Sequence, residues 1–92
     1  MNSYMAKTVT ISEGITTIEA QAFSCCNNIT TVMMPASITF ISSKVFEECR
    51  RLTDIYYNGT IAEWEAIAKS GDWDLKTLSY TVHCIDGDIP KK

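Results

Sequence analysis

The residues best equipped for chemistry in this sequence are four cysteines and one histidine. Cys25 and Cys26 are adjacent, Cys49 stands apart, and His83 directly precedes Cys84. Thiolates and an imidazole could hold zinc, but structural zinc sites pair their ligands about two to four residues apart. Neither Cys25-Cys26 nor His83-Cys84 has that spacing, so no metal is expected. A hydrolytic centre would need a nucleophile oriented by a base. His83, on a terminal strand segment, is read instead as a structural or surface residue. Asp86-Gly87-Asp88 starts like a calcium loop but lacks the remaining ligands and the bidentate glutamate, so it is read as a polar turn. No paired carboxylates share a helix, and the sequence has no phosphate loop and no nucleophile elbow. The expectation is a chain with no catalytic residues and no cofactor, not an enzyme.

Cys26 and Cys49 lie 23 residues apart, and so does much else. Val9, Val32, Ile55 and Leu78 share that spacing, as do Ile11, Met34, Tyr57 and Tyr80. Ile15, Ile38 and Ile61 form another series; Ile18, Ile41 and Trp64 another; then Phe23 and Phe46; then Ile29, Leu52 and Leu75. A fixed period in this range marks a stacked repeat, in which each unit buries its apolar side only against its neighbours. Each unit opens with apolar residues alternating by two, the period of a strand, and Val and Ile suit strands. Pro35 cannot donate a ladder hydrogen bond and should end the second strand. Stacking predicts a short parallel sheet ordered 9–11, 32–34, 55–57 and 78–80. Residues 19–23 and 42–46 are read as single helical turns on the far side, packed by Phe23 and Phe46. Cα atoms of Cys26 and Cys49 would then lie about 5 Å apart, within disulfide range, the alternative being a ladder of buried reduced thiols.

The third unit departs from the pattern. Asn58-Gly59 reads as a turn. Thr60 and Glu63 match a capping box, and Ile61, Trp64, Ile67 and Ala68 make one apolar helical stripe. Glu65 and Lys69 are spaced as a helical ion pair, and Gly71 could close the helix. Lys69 and Asp72 stand where Phe and Cys stood, so a helix with a charged face is expected to replace the thin turn. That predicts a terminal capping unit, with Trp73 folded over the helix and a last edge strand within residues 78–85. The divisions expected are 1–8, a tail or remnant of a preceding repeat; 9–59, the repeats; and 60–92, the capping unit.

With 92 residues and a net charge of −3, one domain is expected and neither nucleic acid nor an anionic membrane is favoured as a partner. No stretch approaches the roughly 20 apolar residues of a membrane span, and no signal peptide is recognisable. The side chains opposite the buried ones would form a polar strand face. Its candidate contacts are Thr31, Met33, Asp54, Tyr56 and Ser79, with Tyr56 and Met33 the large ones. A protein or glycan ligand is expected there. The uncovered edge of the first strand invites a second chain, so either a homodimer forms through it or residues 1–8 fold over it.

The run I29-x-x-V32-x-M34-P35-x-x-I38-x-x-I41-x-x-x-V45-F46-x-x-C49-x-x-L52 resembles the leucine-rich repeats of BspA-type bacterial surface proteins. The ending is similar to theirs as well: I55-Y-Y-N-G-T60, E63-W64, I67, W73 and V82-H-C-I-D-G87. Together these cover about residues 9–89. The proline after the strand is Ser12 in the first unit, and the glycine after the second isoleucine is Glu19 and Ser42, changes that touch loops more than architecture. The resemblance implies an α/β repeat, a right-handed leucine-rich-repeat solenoid with one C-terminal capping helix. It also implies an extracellular or cell-surface setting and a non-catalytic adhesion or protein-recognition module that binds through the concave strand face. The alternative is a structural cap or spacer of a longer repeat protein. Without a signal peptide, the chain would be an excised fragment or cytoplasmic.

Overall fold

The computed structural model of the chain describes residues 7–90. Each unit contributes a first strand: β1 (Thr8–Thr10), β3 (Thr31–Met34) and β5 (Asp54–Tyr57). Their register is Val9 to Val32 to Ile55, the 23-residue spacing realised as parallel pairing. Pro35 follows β3 directly, as a residue without a donor must. The odd members of the alternation point inward: Val32, Ile55 and Val82 are all at most 2% exposed. A second, shorter strand per unit is β2 (Thr17–Ile18), β4 (Phe40–Ile41) and β6 (Ala68–Lys69). These pair in parallel as a three-stranded sheet. The core lies between the two sheets and the turns that link them, and the whole is a solenoid-like repeat.

The stretches expected as helical turns are chains of tight turns instead. Ala22, Ser24 and Cys26 each donate from N–H to the carbonyl three residues back. The alternate amides, those of Gln21, Phe23 and Cys25, reach across to the carbonyls of Ser43, Val45 and Glu47 in the next unit. A helix could not do this, because it would keep every amide within itself. Left-handed φ values at Gln21 and Cys25, and again at Lys44 and Glu48, interrupt the helical path four residues apart in each unit. Phe23 and Phe46 stack within this ladder with ring centroids 5.6 Å apart.

The largest correction concerns the third unit. Ten residues, 58–67, link β5 to β6, where five, 35–39, link β3 to β4. The extra chain holds helix α1 (Ile61–Ala66). The helix is therefore inserted ahead of the second strand and does not replace the thin turn, which persists over residues 71–76. Ile67 ends α1 in extended conformation, so Ala68 and Lys69 lie in β6 and Gly71 does not close the helix. The Glu65–Lys69 helical pair is lost with it. The Lys69 ammonium instead donates to the carbonyls of Trp64 at 2.7 Å and Ile67 at 3.2 Å, at the C-terminal end of the helix.

The insertion also moves the fourth strand. β7 (Thr81–Cys84) pairs in parallel with β5 so that Ile55 meets Val82, a spacing of 27. Leu78, expected inside by strict period, is 59% exposed, and Leu75 is 37% exposed. Trp73 and Tyr80 fill that side of the core. Trp73 meets Phe46, Trp64 and Tyr80 edge-on with centroids 5.9–6.1 Å away, so it does fold into the core beside the helix. β7 is not the edge either. β8 (Gly87–Pro90) returns antiparallel across a two-residue turn, Ile85-Asp86, so only the start of Asp86-Gly87-Asp88 is turn. The five-stranded sheet runs β1-β3-β5-β7-β8. Among the described residues β1 is its other edge. The expectation that residues 1–8 fold over β1 falls for residues 1–6 outside the described chain. Lys7 is already in repeat register, its carbonyl accepting from Thr30 and Thr31.

Candidate functional site

Parallel register builds two rows of side chains on the outer face of the larger sheet. One is Thr8, Thr31, Asp54 and Thr81; the other is Thr10, Met33, Tyr56 and His83. Met33 and Tyr56 are 40% and 43% exposed, while their strand neighbours Val32, Met34, Ile55 and Tyr57 are buried. Four of the five expected contact residues thus share this face: Thr31, Met33, Asp54 and Tyr56. Ser79 lies in the segment leading into β7, exposed but outside every strand. Its row positions are held by Thr81 and His83.

His83 is the residue that sequence reasoning left out of the face. Its ring stacks on Tyr56, centroids 4.5 Å apart and planes 21° from parallel. Nε2 lies 2.8 Å from Asp54 Oδ1 on β5, and Nδ1 lies 3.0 Å from Asp88 Oδ1 on β8. An ionised carboxylate only accepts hydrogen bonds, so both contacts are made together when both ring nitrogens carry protons, and the arrangement favours the protonated ring. The bond to Asp54 and then that to Asp88 hold the His83 pKa above its ordinary value of 6.5. The bond from His83, with a second from Thr53, holds Asp54 below its ordinary 3.8. A shallow groove of ≈ 630 Å³ runs over Thr10, Met33, Tyr56, His83 and Ile85. The alternation Thr81-Val82-His83 was the available signal. Aligning Val82 with Ile55 would have placed His83 beside Tyr56.

The same geometry bears on chemistry. With a carboxylate against each nitrogen, both ring positions of His83 are already engaged within the face. Burial raises the thiol pKa of Cys26, Cys84 and Cys49, the last to about 11. Thiolate is the reactive form, so these cysteines are poor nucleophiles. All four cysteines are free in this structure. The Cys49 thiol donates to the Phe23 carbonyl at 3.0 Å, tying one unit to the next. Among the described residues no group of three or more His, Cys, Asp or Glu side chains is arranged to hold a metal ion. No described helix is long and apolar enough to cross a membrane.

A family model described as BspA type leucine rich repeat region (6 copies) matches residues 1–85. No curated protein and no solved structure gives a significant match.

Proposed function

The chain belongs to the BspA-type leucine-rich-repeat family, and from that premise we propose a non-catalytic interaction module that binds a protein or glycan through the outer strand face. The observation that carries this reading is the row Met33–Tyr56–His83, two exposed large side chains and a ring held between two carboxylates, lying over one groove. Tyr and Met are enriched at interface cores, and Tyr buries much area at little entropic cost. His83, bridged to Asp54 and Asp88, fixes the Tyr56 ring before any partner arrives, and preorganisation of this kind reduces the ordering cost of binding. On this reading the solenoid is right-handed, the face is concave, and the module works at a bacterial cell surface as an adhesion element. Thr31 and Asp54 flank the contact row.

A second reading has an observation of its own. The C-terminal end is sealed by α1, Trp73 and β8, whereas apolar residues lie open at the β1 end, which leaves β1 a pairing edge for a second chain. That asymmetry suits residues 60–92 as the cap of a repeat stack, residues 9–59 as repeats and 1–8 as part of a preceding turn. A cap or spacer with no ligand of its own follows.

Binding to a panel of immobilised surface proteins and glycans separates the two. The Met33→Ala/Tyr56→Ala double variant should keep its circular dichroism and melting temperature, because both side chains are already exposed. It should weaken any binding about tenfold or more. Equal binding by the variant sinks the strand-face reading; absence of any binding by the parent chain favours the spacer.

A further inference from the structure

Equivalent apolar positions in the first two units differ sharply in cover. Val32, Met34, Ile38 and Phe46 are at most 2% exposed. Their counterparts Val9, Ile11 and Phe23 are half-buried, and Ile15 is 43% exposed. These four residues, with Ile18, line an apolar groove of ≈ 380 Å³ across the β1 end of the molecule. Backbone polarity at that end is equally open. Lys7 and Ile11 direct their backbone groups to β3. By the alternation of a parallel strand, Thr8 and Thr10 direct theirs away from it, toward no described residue. Among the described residues, one end of the stack therefore presents a strand edge and an apolar groove side by side, the combination that elsewhere is met by the next unit.

We propose that this end is an interface that a second copy of the chain covers head to head, about a two-fold axis. Head-to-tail stacking would not continue the repeat, although β8 is also an edge strand. The opposite end of the larger sheet is taken by β8, which runs antiparallel and ends on Pro90, and Trp73 and Tyr80 close the core behind it. A two-fold axis makes each partner present the same patch, and two copies of β1 then pair antiparallel. The charges suit that direction. Exposed Lys7 stands before β1 and exposed Glu13 after it. Antiparallel pairing brings each Lys7 toward the other copy's Glu13, whereas parallel pairing would set like charges together. The open apolar residues of both copies meet beside the strands. The interface rests on the open β1 end, independently of whether the strand face binds a ligand.

Sedimentation equilibrium over a range of concentrations tests it. The parent chain should reach a dimer. Thr10→Pro removes an outward donor and leaves the inward ladder intact, a position where an edge strand tolerates proline. It should keep the fold by circular dichroism and raise the dimer dissociation constant about tenfold or more. Lys7→Glu and Glu13→Lys should each weaken the dimer, and the double exchange should restore it, a recovery that mere loss of stability could not give. A strict monomer at every concentration overturns the proposal and leaves a preceding repeat of a longer chain as the cover. Failure of the double exchange to restore association overturns the antiparallel arrangement. Met33→Ala/Tyr56→Ala should leave association unchanged, so failure of the strand-face reading would not be mistaken for failure here.

Discussion

His83 is held from both sides of its ring, and the consequences are specific to pH. Its pKa is raised by the bonds to Asp54 and Asp88, so its contribution is fully present below the ordinary 6.5 and is lost as pH rises through the elevated value. Asp54 is depressed by the same bond, so its contribution is present above the ordinary 3.8 and is lost as pH falls through the lowered value. The bridge is therefore complete between about pH 4 and 6.5. The side chains of His83 and Asp54 are 27% and 36% exposed, so solvent screens the pairs and each is worth about 0.2–1 kcal/mol. Melting temperatures at pH 5.5 and pH 8.5 should differ by a few degrees in favour of the acidic sample, and His83→Asn should flatten most of the difference. An unchanged pH response in that variant would show the bridge to be idle. The bridge was not legible in the sequence. Its three members come from β5, β7 and β8, and their meeting depends on a spacing of 27 that strict repetition does not allow.

At the scale of elements, β1, β3 and β5 and their inward faces were legible because apolar alternation and a constant period both demand them. β3 and β5 start one residue earlier than the apolar series, and Pro35 ends β3 as its chemistry requires. The capping box was equally plain. Thr60 accepts from the Glu63 amide at 3.1 Å, and Glu63 Oε1 accepts from the Thr60 amide at 2.9 Å. What could not be read was the second sheet, whose strands are two residues long, and the left-handed turns, which here use Gln, Cys, Lys and Glu where glycine would have announced them. The position of α1 was misjudged for a related reason, since period alone cannot tell an insertion from a replacement. The Asp86 carboxylate also accepts from the Ile61 amide at 2.8 Å, so the first turn of α1 is bound from its own sequence and from the β7–β8 hairpin. Thr60→Ala should cost about 1 kcal/mol, read as a fall of about 4–8 °C in melting temperature. Gly59→Ala should cost more than Thr60→Ala. A methyl group there would sit 2.6 Å from a Tyr57 ring carbon and 2.8 Å from the Glu63 carboxylate, so it would strain the core and the cap together. If Gly59→Ala proves the milder of the two, the close packing of that bend has been overstated.

Across the whole molecule, stability should fall off along the stack. A linear array holds each unit by its own contacts and by its neighbours, so a unit with one neighbour is the first to open. The aromatic contacts run Phe23, Phe46, Trp73 and Tyr80, with Trp64 and Tyr57 joined to the same cluster. Phe46 sits inside that run and is fully buried, while Phe23 sits at its open end. Phe46→Ala should therefore cost about 3–5 kcal/mol, close to the whole stability of a chain this size, and leave it unfolded or barely folded. Phe23→Ala removes the same atoms from a half-solvated site and should cost well under half as much, because water already reaches part of the ring and the vacated space opens outward instead of forming a cavity. Hydrogen exchange under conditions where the chain is monomeric should follow the same order. The amides of β3, β5 and β7 should open near the global free energy, and those of β1, β2 and residues 20–25 at lower values. Raising the concentration should then slow exchange at β1 selectively if a second copy covers that end. Uniform protection along the stack at low concentration would mean that the units fold as one indivisible body, and that the open groove beside Ile15 and Phe23 costs the molecule nothing locally.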